Sequence, residues 1–338
     1  MPIPIANILH MAGASVANKL TGRKAPLNLM LALTDRCTGN CSYCQLPARK
    51  SPEMTTAEIL KLLDEAAAAG CQRVGLWGGE PLLREDLGPI IRHARKQGLF
   101  VTVDTNGHLV PKSIEILQDA NHLNISLDGN QDAHDANRGT GAFAATMKGL
   151  EAAAREGFAF WTITVLTKHN LDQIDWLLEL ARKMNFLTTF QVLHHNESIG
   201  CNQGLYPTQD ELRQTALLLA ERKRSGAPIA SSLGYLERLA TWPDYRINRY
   251  YRLDNYPSCL AGRLYCNVDV DGSMYPCSLF VDEVESPPNV RDLGFAGAFE
   301  AMQIPACNAC LAGCFTEYNL LYSLDLSTGI NWVRALIK

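Results

Sequence analysis

Three cysteines stand within eight residues of the chain, in the segment CTGNCSYC, at Cys37, Cys41 and Cys44. A closed structural zinc site takes four ligands, so three thiols leave such a site incomplete. Three thiolates could instead hold a four-iron cluster and leave one iron without a protein ligand, where a small molecule could bind. A zinc site completed by a distant histidine is the alternative interpretation of this loop.

A glycine-rich turn, WGGEPLLR, occupies residues 77–84. Gly78 and Gly79 lack a Cβ and therefore allow the backbone to approach a ligand closely. Glu80 adds a carboxylate that could accept hydrogen bonds from an ammonium group. The turn and the cysteine loop each follow a short apolar run, and a zinc site would not explain the glycines. We therefore expect the two motifs to contribute to one site.

Six further cysteines lie close to the C-terminus, in CLAGRLYCNVDVDGSMYPC and CNACLAGC: Cys259, Cys266, Cys277, Cys307, Cys310 and Cys314. Taken alone, a C-x2-C motif with a spaced pair is also typical of a structural zinc ribbon. The remaining two of the eleven cysteines, Cys71 and Cys201, are isolated. We interpret them as ordinary residues, one in the core and the other in a loop.

Short β-like runs alternate with amphipathic helical stretches from residue 28 to about residue 224. Six such βα units with nearly continuous apolar strands predict an α/β fold whose parallel sheet is covered by helices. An open partial barrel and a doubly wound sheet fit this pattern equally well. In both folds functional residues collect at the C-terminal ends of the strands, where the cysteine loop and the glycine turn lie.

The pattern changes after about residue 225, where prolines, glycines, aromatic residues and cysteines replace the βα alternation. We predict an N-terminal amphipathic helix over residues 1–26, a barrel over 27–225 and a small metal-stapled domain over 226–338. Packing beneath the barrel would explain the apolar face of the N-terminal helix, and contact with a membrane surface is the alternative.

Composition narrows the class of protein. The chain has 338 residues, of which 47% are hydrophobic, and a formal net charge of −4, which gives no electrostatic basis for non-specific nucleic-acid binding. Its longest apolar run, FAFWTITVL, is far shorter than the roughly 20 residues that cross a bilayer. Many cysteines without a signal peptide indicate metal or redox chemistry in a reducing compartment, so we expect a cytoplasmic protein.

Four segments in order, TDRCTGNCSYC, GGEPLLR, DTNGH and ISLDG, resemble the motifs of the radical S-adenosylmethionine (radical SAM) superfamily over roughly residues 27–200. The resemblance implies a partial (β/α)6 TIM-like barrel and a [4Fe-4S] cluster held by Cys37, Cys41 and Cys44. The open iron of that cluster would bind the amino and carboxylate groups of SAM. Reductive cleavage of SAM would then give a 5′-deoxyadenosyl radical that abstracts hydrogen from a substrate.

The same resemblance implies roles for residues around SAM. Tyr43 would lie near the adenine. The turn formed by Gly78, Gly79 and Glu80 would meet the SAM amino group. Ser126, together with Arg138, would help to hold the SAM carboxylate or ribose.

The C-terminal cysteines are similar to the SPASM and twitch extensions of the superfamily, which hold auxiliary [4Fe-4S] clusters. The shorter twitch arrangement implies that Cys259, Cys277, Cys307 and Cys310 bind a second [4Fe-4S] cluster. A competing set exchanges Cys307 and Cys310 for Cys266 and Cys314.

The resemblance implies a radical SAM oxidoreductase or a related biosynthetic enzyme, with a flavodoxin- or ferredoxin-type electron donor. The auxiliary cluster would favour an oxidation or cyclisation of a small-molecule substrate. A ribosomally synthesised precursor peptide is the alternative substrate, although 36 residues before Cys37 are too few for a leader-recognition domain. A non-catalytic iron–sulfur or zinc protein is the remaining alternative.

Three residues after the sixth strand are acid/base candidates: His194, His195 and Glu197. Structural hydrogen bonding is the simpler explanation for them.

Overall fold

The computed structural model describes residues 5–194, 203–254, 256–281, 283–304 and 306–337. Within these ranges the strands are β1 (Asn28–Ala32), β2 (Arg73–Trp77), β3 (Phe100–Thr105), β4 (His122–Ser126), β5 (Phe160–Leu166), β6 (Leu187–Val192), β7 (Arg249–Tyr250), β8 (Tyr265–Val268), β9 (Met274–Tyr275) and β10 (Ala309–Cys310). The helices are α1 (Ile5–Thr21), α2 (Leu46–Arg49), α3 (Thr56–Ala68), α4 (Leu87–Lys96), α5 (Ile114–Leu117), α6 (Gln131–Arg138), α7 (Ala142–Arg155), α8 (Ile174–Met184), α9 (Gln209–Arg224), α10 (Leu233–Ala240), α11 (Val290–Ala301), α12 (Gly313–Tyr322) and α13 (Leu326–Ile337).

The central sheet has the strand order β6-β5-β4-β3-β2-β1-β8-β9. Strands β1 to β6 pair with one another in parallel, each with its successor in the chain. The predicted α/β fold with six parallel strands and covering helices is confirmed. Because β6 and β9 are the two edges of the sheet, the barrel is partial and its lumen is open along one side.

Side-chain alternation along the strands separates a helix-covered face from a lumen. Leu29 and Leu31 of β1 are fully buried in the main core, whereas Met30 between them lines an interior cavity. The same alternation on β2 buries Val74 and places Arg73 at the cavity. Successive strand residues point to opposite faces, so polar residues at every second position line the lumen without disturbing the core.

Local signals in the sequence set the helix ends. At α3, Thr55 Oγ1 accepts a hydrogen bond from the Glu58 amide, and the Glu58 carboxylate accepts one at 2.7 Å from the Thr55 amide. Gly70 follows the end of this helix with a φ of +102°. The capping box satisfies two of the amides that a helix start leaves without partners, and glycine adopts positive φ without strain.

The chain beyond residue 225 continues the barrel sheet. Strand β8 pairs in parallel with β1, opposing Tyr265 to Asn28 and Val268 to Leu31, and β9 returns antiparallel to β8. Helix α12 contacts β6 and α10 on the open side of the barrel. The two parts thus share one sheet, and the domain boundary predicted near residue 225 stays a prediction.

Helix α1 lies where the sequence predicts an N-terminal helix and contacts α12. Met11 packs against the cluster of buried residues around Leu27 and Tyr318, while Leu9 and Leu20 are exposed. No helix in the described ranges is both long enough and apolar enough to cross a membrane.

Candidate active site

The first cysteine loop follows β1 and keeps its three thiols half-buried. The amide of Gly39 donates to Cys37 Sγ at 3.3 Å. A Cβ built on Gly39 would lie 3.6 Å from both Cys37 Sγ and Cys41 Sγ, so these two sulfurs flank the glycine. Asn106 Nδ2 approaches Cys37 Sγ at 3.6 Å. Half-buried sulfurs that receive N–H groups are a suitable environment for an iron–sulfur cluster.

Burial raises the pKa of all three thiols, that of Cys44 to about 11, while Arg138 opposes the shift at Cys41. Each thiol would lose its proton on binding iron, because the thiolate is the form that binds a metal. In the described ranges no three or more His, Cys, Asp or Glu side chains are grouped as ligands of a single metal ion.

The glycine turn packs directly on the backbone of the cysteine loop. The amide of Gly79 donates to Thr34 O at 2.7 Å, and the amide of Glu80 donates to Arg36 O at 2.8 Å. A Cβ on Gly78 would lie 2.5 Å from Thr34 O, and one on Gly79 would lie 2.2 Å from Arg36 O. No side chain fits at either position, so the two glycines allow the loops to touch.

The Glu80 side chain is fully buried beneath this contact. Its Oε1 accepts from the Leu82 amide at 3.1 Å, and its Oε2 accepts from the Asn106 amide at 2.9 Å. Thr105 Oγ1 lies 2.9 Å from both carboxylate oxygens. Burial raises the pKa of this carboxyl to about 7. The sequence suggested that the Glu80 carboxylate accepts hydrogen bonds from an ammonium group. In the structure this carboxylate accepts hydrogen bonds from the protein itself. A contact between the Glu80 backbone and SAM stays a prediction.

A buried ion pair supports the other side of the cysteine loop. Arg138 Nε donates to Asp128 Oδ2 at 2.7 Å, and Asp128 is fully buried. Tyr43 OH donates to the same oxygen at 3.2 Å, and the Arg138 guanidinium lies 5.7 Å from the Tyr43 ring centre. Arg138 Nη1 also lies 4.0 Å from Cys41 Sγ. This arrangement fixes Tyr43 beside the cysteines, and the contact predicted between Arg138 and SAM stays a prediction.

Sequence reasoning missed Asp128. It stands two residues after Ser126 in the segment ISLDG, and only Ser126 was singled out there. Ser126 ends β4 and is half-buried. The acidic residue at a strand end, followed ten residues later by an arginine, was the available signal.

A cavity of about 350 Å³ runs through the lumen beside the first cysteine loop. Its lining includes Tyr43, Cys44, Asp104, His194 and, at the far side, Cys314 of α12. A smaller cavity of about 110 Å³ shares Cys314 and continues below it. His195, Glu197 and Cys201 lie outside the described residues.

Four of the C-terminal cysteines interact electrostatically: Cys259, Cys277, Cys307 and Cys310. The interaction between the Cys259 and Cys307 side chains lowers the pKa of Cys259 and raises that of Cys307. Cys277 and Cys310 act on each other and on this pair. The assignment of these four cysteines to a second cluster stays a prediction.

Two members of the competing ligand set, Cys266 and Cys314, lie in different surroundings. Cys266 lies on β8 opposite Leu29, in the helix-covered core with Cys71, and is 1% exposed. Its neighbour Tyr265 points the other way, with its OH 3.8 Å from Cys259 Sγ. Cys314 is accessible from the lumen cavity. The pleat of β8 separates Cys266 from the other cysteines.

Comparison with known proteins identifies the barrel. Residues 31–181 match the family model described as the radical SAM superfamily. These residues form a radical SAM domain. The family uses a [4Fe-4S] cluster and SAM, and the half-buried thiols of Cys37, Cys41 and Cys44 fit that cluster.

Solved structures share the fold across nearly the whole chain. SuiB of Streptococcus suis bound to S-adenosylmethionine has a TM-score of 0.64 and 18% identity, covering 94% of this chain and 70% of SuiB. SuiB bound to the precursor peptide SuiA has a TM-score of 0.65 and 17% identity, covering 91% of this chain and 76% of SuiB. A histidine-tagged anSMEcpe with bound AdoMet has a TM-score of 0.65 and 16% identity, covering 90% of this chain and 99% of that protein. At these identities the likeness concerns the fold.

The Glu80→Gln variant should lose about 1–3 kcal/mol of unfolding free energy at a pH below the Glu80 pKa of about 7, and less above it, because the raised pKa means that ionisation of this buried carboxyl destabilises the folded wild type. Glutamine offers one acceptor oxygen, so in either orientation its NH2 group meets the backbone N–H of Leu82 or Asn106. Urea unfolding of wild type and variant measures the loss. The exposed Glu115→Gln is the matched control and should stay within about 0.5 kcal/mol of wild type. Equal stability of Glu80→Gln would contradict the buried contacts.

Proposed function

We propose that the chain is a radical SAM enzyme that removes hydrogen from a substrate held in the lumen cavity, in an oxidation or cyclisation. One observation carries the proposal. The cavity extends from Cys44 of the first cysteine loop to Cys314, which stands four residues beyond Cys310 of the second cysteine cluster. A molecule in this cavity would lie between two redox groups.

At the first group, Cys37, Cys41 and Cys44 would hold the [4Fe-4S] cluster. The bound cluster and SAM supply a 5′-deoxyadenosyl radical. The backbone of Gly78 and Gly79 would face the SAM amino group, because the Glu80 side chain beneath it is engaged in protein contacts. Tyr43, at the mouth of the cavity, would contact the adenine.

The Asp128–Arg138 pair would keep this end of the cavity in one geometry. The pair is buried, hydrogen-bonded to Tyr43 and adjacent to Cys41. Asp128 Oδ1 also accepts from the Val165 amide at 2.9 Å, which ties the pair to β5. Ser126, at the end of β4, would add a hydroxyl for the SAM carboxylate or ribose.

At the second group, Cys259, Cys277, Cys307 and Cys310 would hold an auxiliary [4Fe-4S] cluster. Four thiolates leave no iron open, so electron transfer is the role that fits such a cluster. Nearby protein groups would tune it. The Ala312 amide donates to Cys310 Sγ at 3.4 Å, and hydrogen bonds to cluster sulfurs influence the reduction potential.

The cavity favours a small polar molecule as substrate. Its volume of about 350 Å³ lies at the lower end of ligand pockets, and its lining combines apolar side chains with Arg73, Asp104, Asn124 and Gln191. A flavodoxin- or ferredoxin-type protein is the proposed electron donor.

A precursor peptide is the second candidate substrate, and the solved structures favour it. SuiB was crystallised with its precursor peptide SuiA, and anSMEcpe with the Cp18Cys peptide. This chain covers 99% of anSMEcpe, so a protein of that extent can bind a peptide. In such a case one side chain of the peptide would occupy the cavity.

The wild-type protein, reconstituted anaerobically with iron and sulfide and then reduced with dithionite, should convert SAM to 5′-deoxyadenosine. The Cys41→Ala variant should lose this activity about 100-fold or more, because the cluster would lack a ligand. Chromatography of the quenched reaction measures the product. Cys71→Ala, at a buried core thiol, is the matched control and should remain active. A wild-type protein with a full cluster and no product would refute the proposal.

Iron analysis should separate the two ligand sets. Wild type should bind about eight irons per chain, and Cys307→Ala about four, because each cluster carries four and Cys307 belongs only to the first-named set. Cys266→Ala is the matched control from the competing set and should retain about eight, because Cys266 faces the core. Loss of iron in Cys266→Ala together with full iron in Cys307→Ala would favour the competing set. If the C-terminal cysteines bound zinc and not iron, the proposed electron-transfer role of this second site would be refuted.

Deuterium transfer should identify the substrate class. Extract from cells of the source organism grown on deuterated medium is divided into small-molecule and peptide fractions, and each is added to the reduced enzyme with SAM. Hydrogen abstraction from the substrate should place deuterium in 5′-deoxyadenosine, which mass spectrometry detects. Enrichment with the small-molecule fraction is the expected result. Enrichment only with the peptide fraction would favour the second candidate.

A further inference from the structure

Arg73 occupies a distinctive position at the base of the lumen. It is the first residue of β2, and it lines both the larger and the smaller cavity. Its Nη1 donates to Asn28 Oδ1 at 2.8 Å and to Tyr318 OH at 2.6 Å, while its Nη2 donates to Thr102 Oγ1 at 2.8 Å. Its guanidinium lies 5.7 Å from the Tyr318 ring centre.

All of these partners are uncharged, whereas three other enclosed arginines pair with carboxylates. Arg49 pairs with Asp269, Arg84 with Asp86 and Glu53, and Arg138 with Asp128. Within the described residues no carboxylate lies within 4 Å of Arg73. A charged group away from bulk water is costly without a counter-charge, so the site is one that an anion would stabilise.

The nearby carboxylates do not replace that anion. Asp104 lies on the cavity wall, interacts with Arg73 only at a distance and accepts a hydrogen bond from Asn124 Nδ2 at 2.7 Å. Glu317 lines the smaller cavity, but its oxygens accept from the Ser232 amide at 2.6 Å and from Trp332 Nε1 at 3.2 Å.

Donor groups remain available at the cavity. A guanidinium has five N–H groups. The two of Nη1 serve Asn28, Tyr318 and, at 3.7 Å, Met30 Sδ, and one of Nη2 serves Thr102. Nε–H and one N–H of Nη2 are left without a partner in the described residues. His122, which lines the smaller cavity, is 7% exposed. Its Nε2 has no partner in the described part of the chain. Two residues with polar atoms that lack partners therefore line the smaller cavity.

We propose that Arg73 binds an anionic group of the substrate, a carboxylate or a phosphate, and thereby positions the substrate in the lumen. The proposal rests on the proposed function in taking the lumen cavity as the substrate site. Arginine binds such groups through two parallel N–H···O bonds. The anion would lie at the base of the cavity, so the remainder of the substrate would extend towards Cys44. The substrate class is thus a small polar molecule, or a peptide side chain, that bears an acidic group.

Calorimetric titration tests the anion site directly. Inorganic phosphate and acetate are titrated separately into anaerobically reconstituted wild type, Arg73→Gln and Arg95→Gln. Arg95 is the matched control, because it also donates to a neutral amide, Asn121 Oδ1 at 2.7 Å, but lies on α4 on the outer side of the sheet. We expect Arg73→Gln to bind the better of the two anions about tenfold or more weakly, and Arg95→Gln to match wild type.

Alkylation of Cys314 localises the anion without relying on a variant. The Cys314 thiol is accessible from the same cavity and can be followed by peptide mass spectrometry after iodoacetamide treatment. In wild type the bound anion should slow this alkylation, whereas acetamide, the uncharged analogue of acetate, should not. This measurement stands even if Arg73→Gln fails to fold.

The outcomes distinguish the proposals. Absence of saturable anion binding to wild type, or equal affinity in Arg73→Gln, would overturn the role of Arg73. Anion binding that leaves Cys314 alkylation unchanged would place the anion elsewhere and also overturn it. Stronger binding of phosphate than acetate would indicate a phosphorylated substrate, and the reverse a carboxylate. The proposed function is tested separately by 5′-deoxyadenosine formation in wild type.

Discussion

The contact between the glycine turn and the cysteine loop is the constraint on which the candidate site depends. Gly79 approaches the loop so closely that a Cβ would lie 2.2 Å from Arg36 O, and two backbone hydrogen bonds join the segments. The buried Glu80 carboxylate then ties this contact to the end of β3. The loop that carries the three cysteines is therefore fixed by backbone geometry and by one buried acid.

The second half of the chain completes the lumen that the first half leaves open. Strand β8 extends the sheet from β1, and α12 covers the open side of the barrel. Arg73 of β2 and Tyr318 of α12 meet across this junction at 2.6 Å. Both the wall of the cavity and its charged base therefore depend on contacts between residues far apart in the chain, which explains why the C-terminal segment is integrated into the sheet.

Patterns over a few neighbouring residues of the sequence correctly predicted the features that depend on those residues alone. The six strands and the capping box at Thr55 follow from short-range spacing. The structural roles of Glu80 and Asp128, as buried carboxylates that accept hydrogen bonds, could not be predicted in this way. Their burial and their hydrogen-bond partners come from other strands. The spacing of the C-terminal cysteines likewise left two ligand sets open. Only the pairing of β8 with β1 decides which face of the hairpin Cys266 occupies.

The charges in the lumen have a consequence for the chemistry. Asp128 neutralises Arg138 beside the first cysteines, whereas Arg73 at the opposite end of the cavity has only neutral partners. An acidic group on the substrate would therefore be drawn towards the Arg73 guanidinium at the base of the lumen. The reacting carbon would then lie between the two ends. Charge placement could thus orient the substrate before any close contact forms, which is the condition for selective removal of one hydrogen atom.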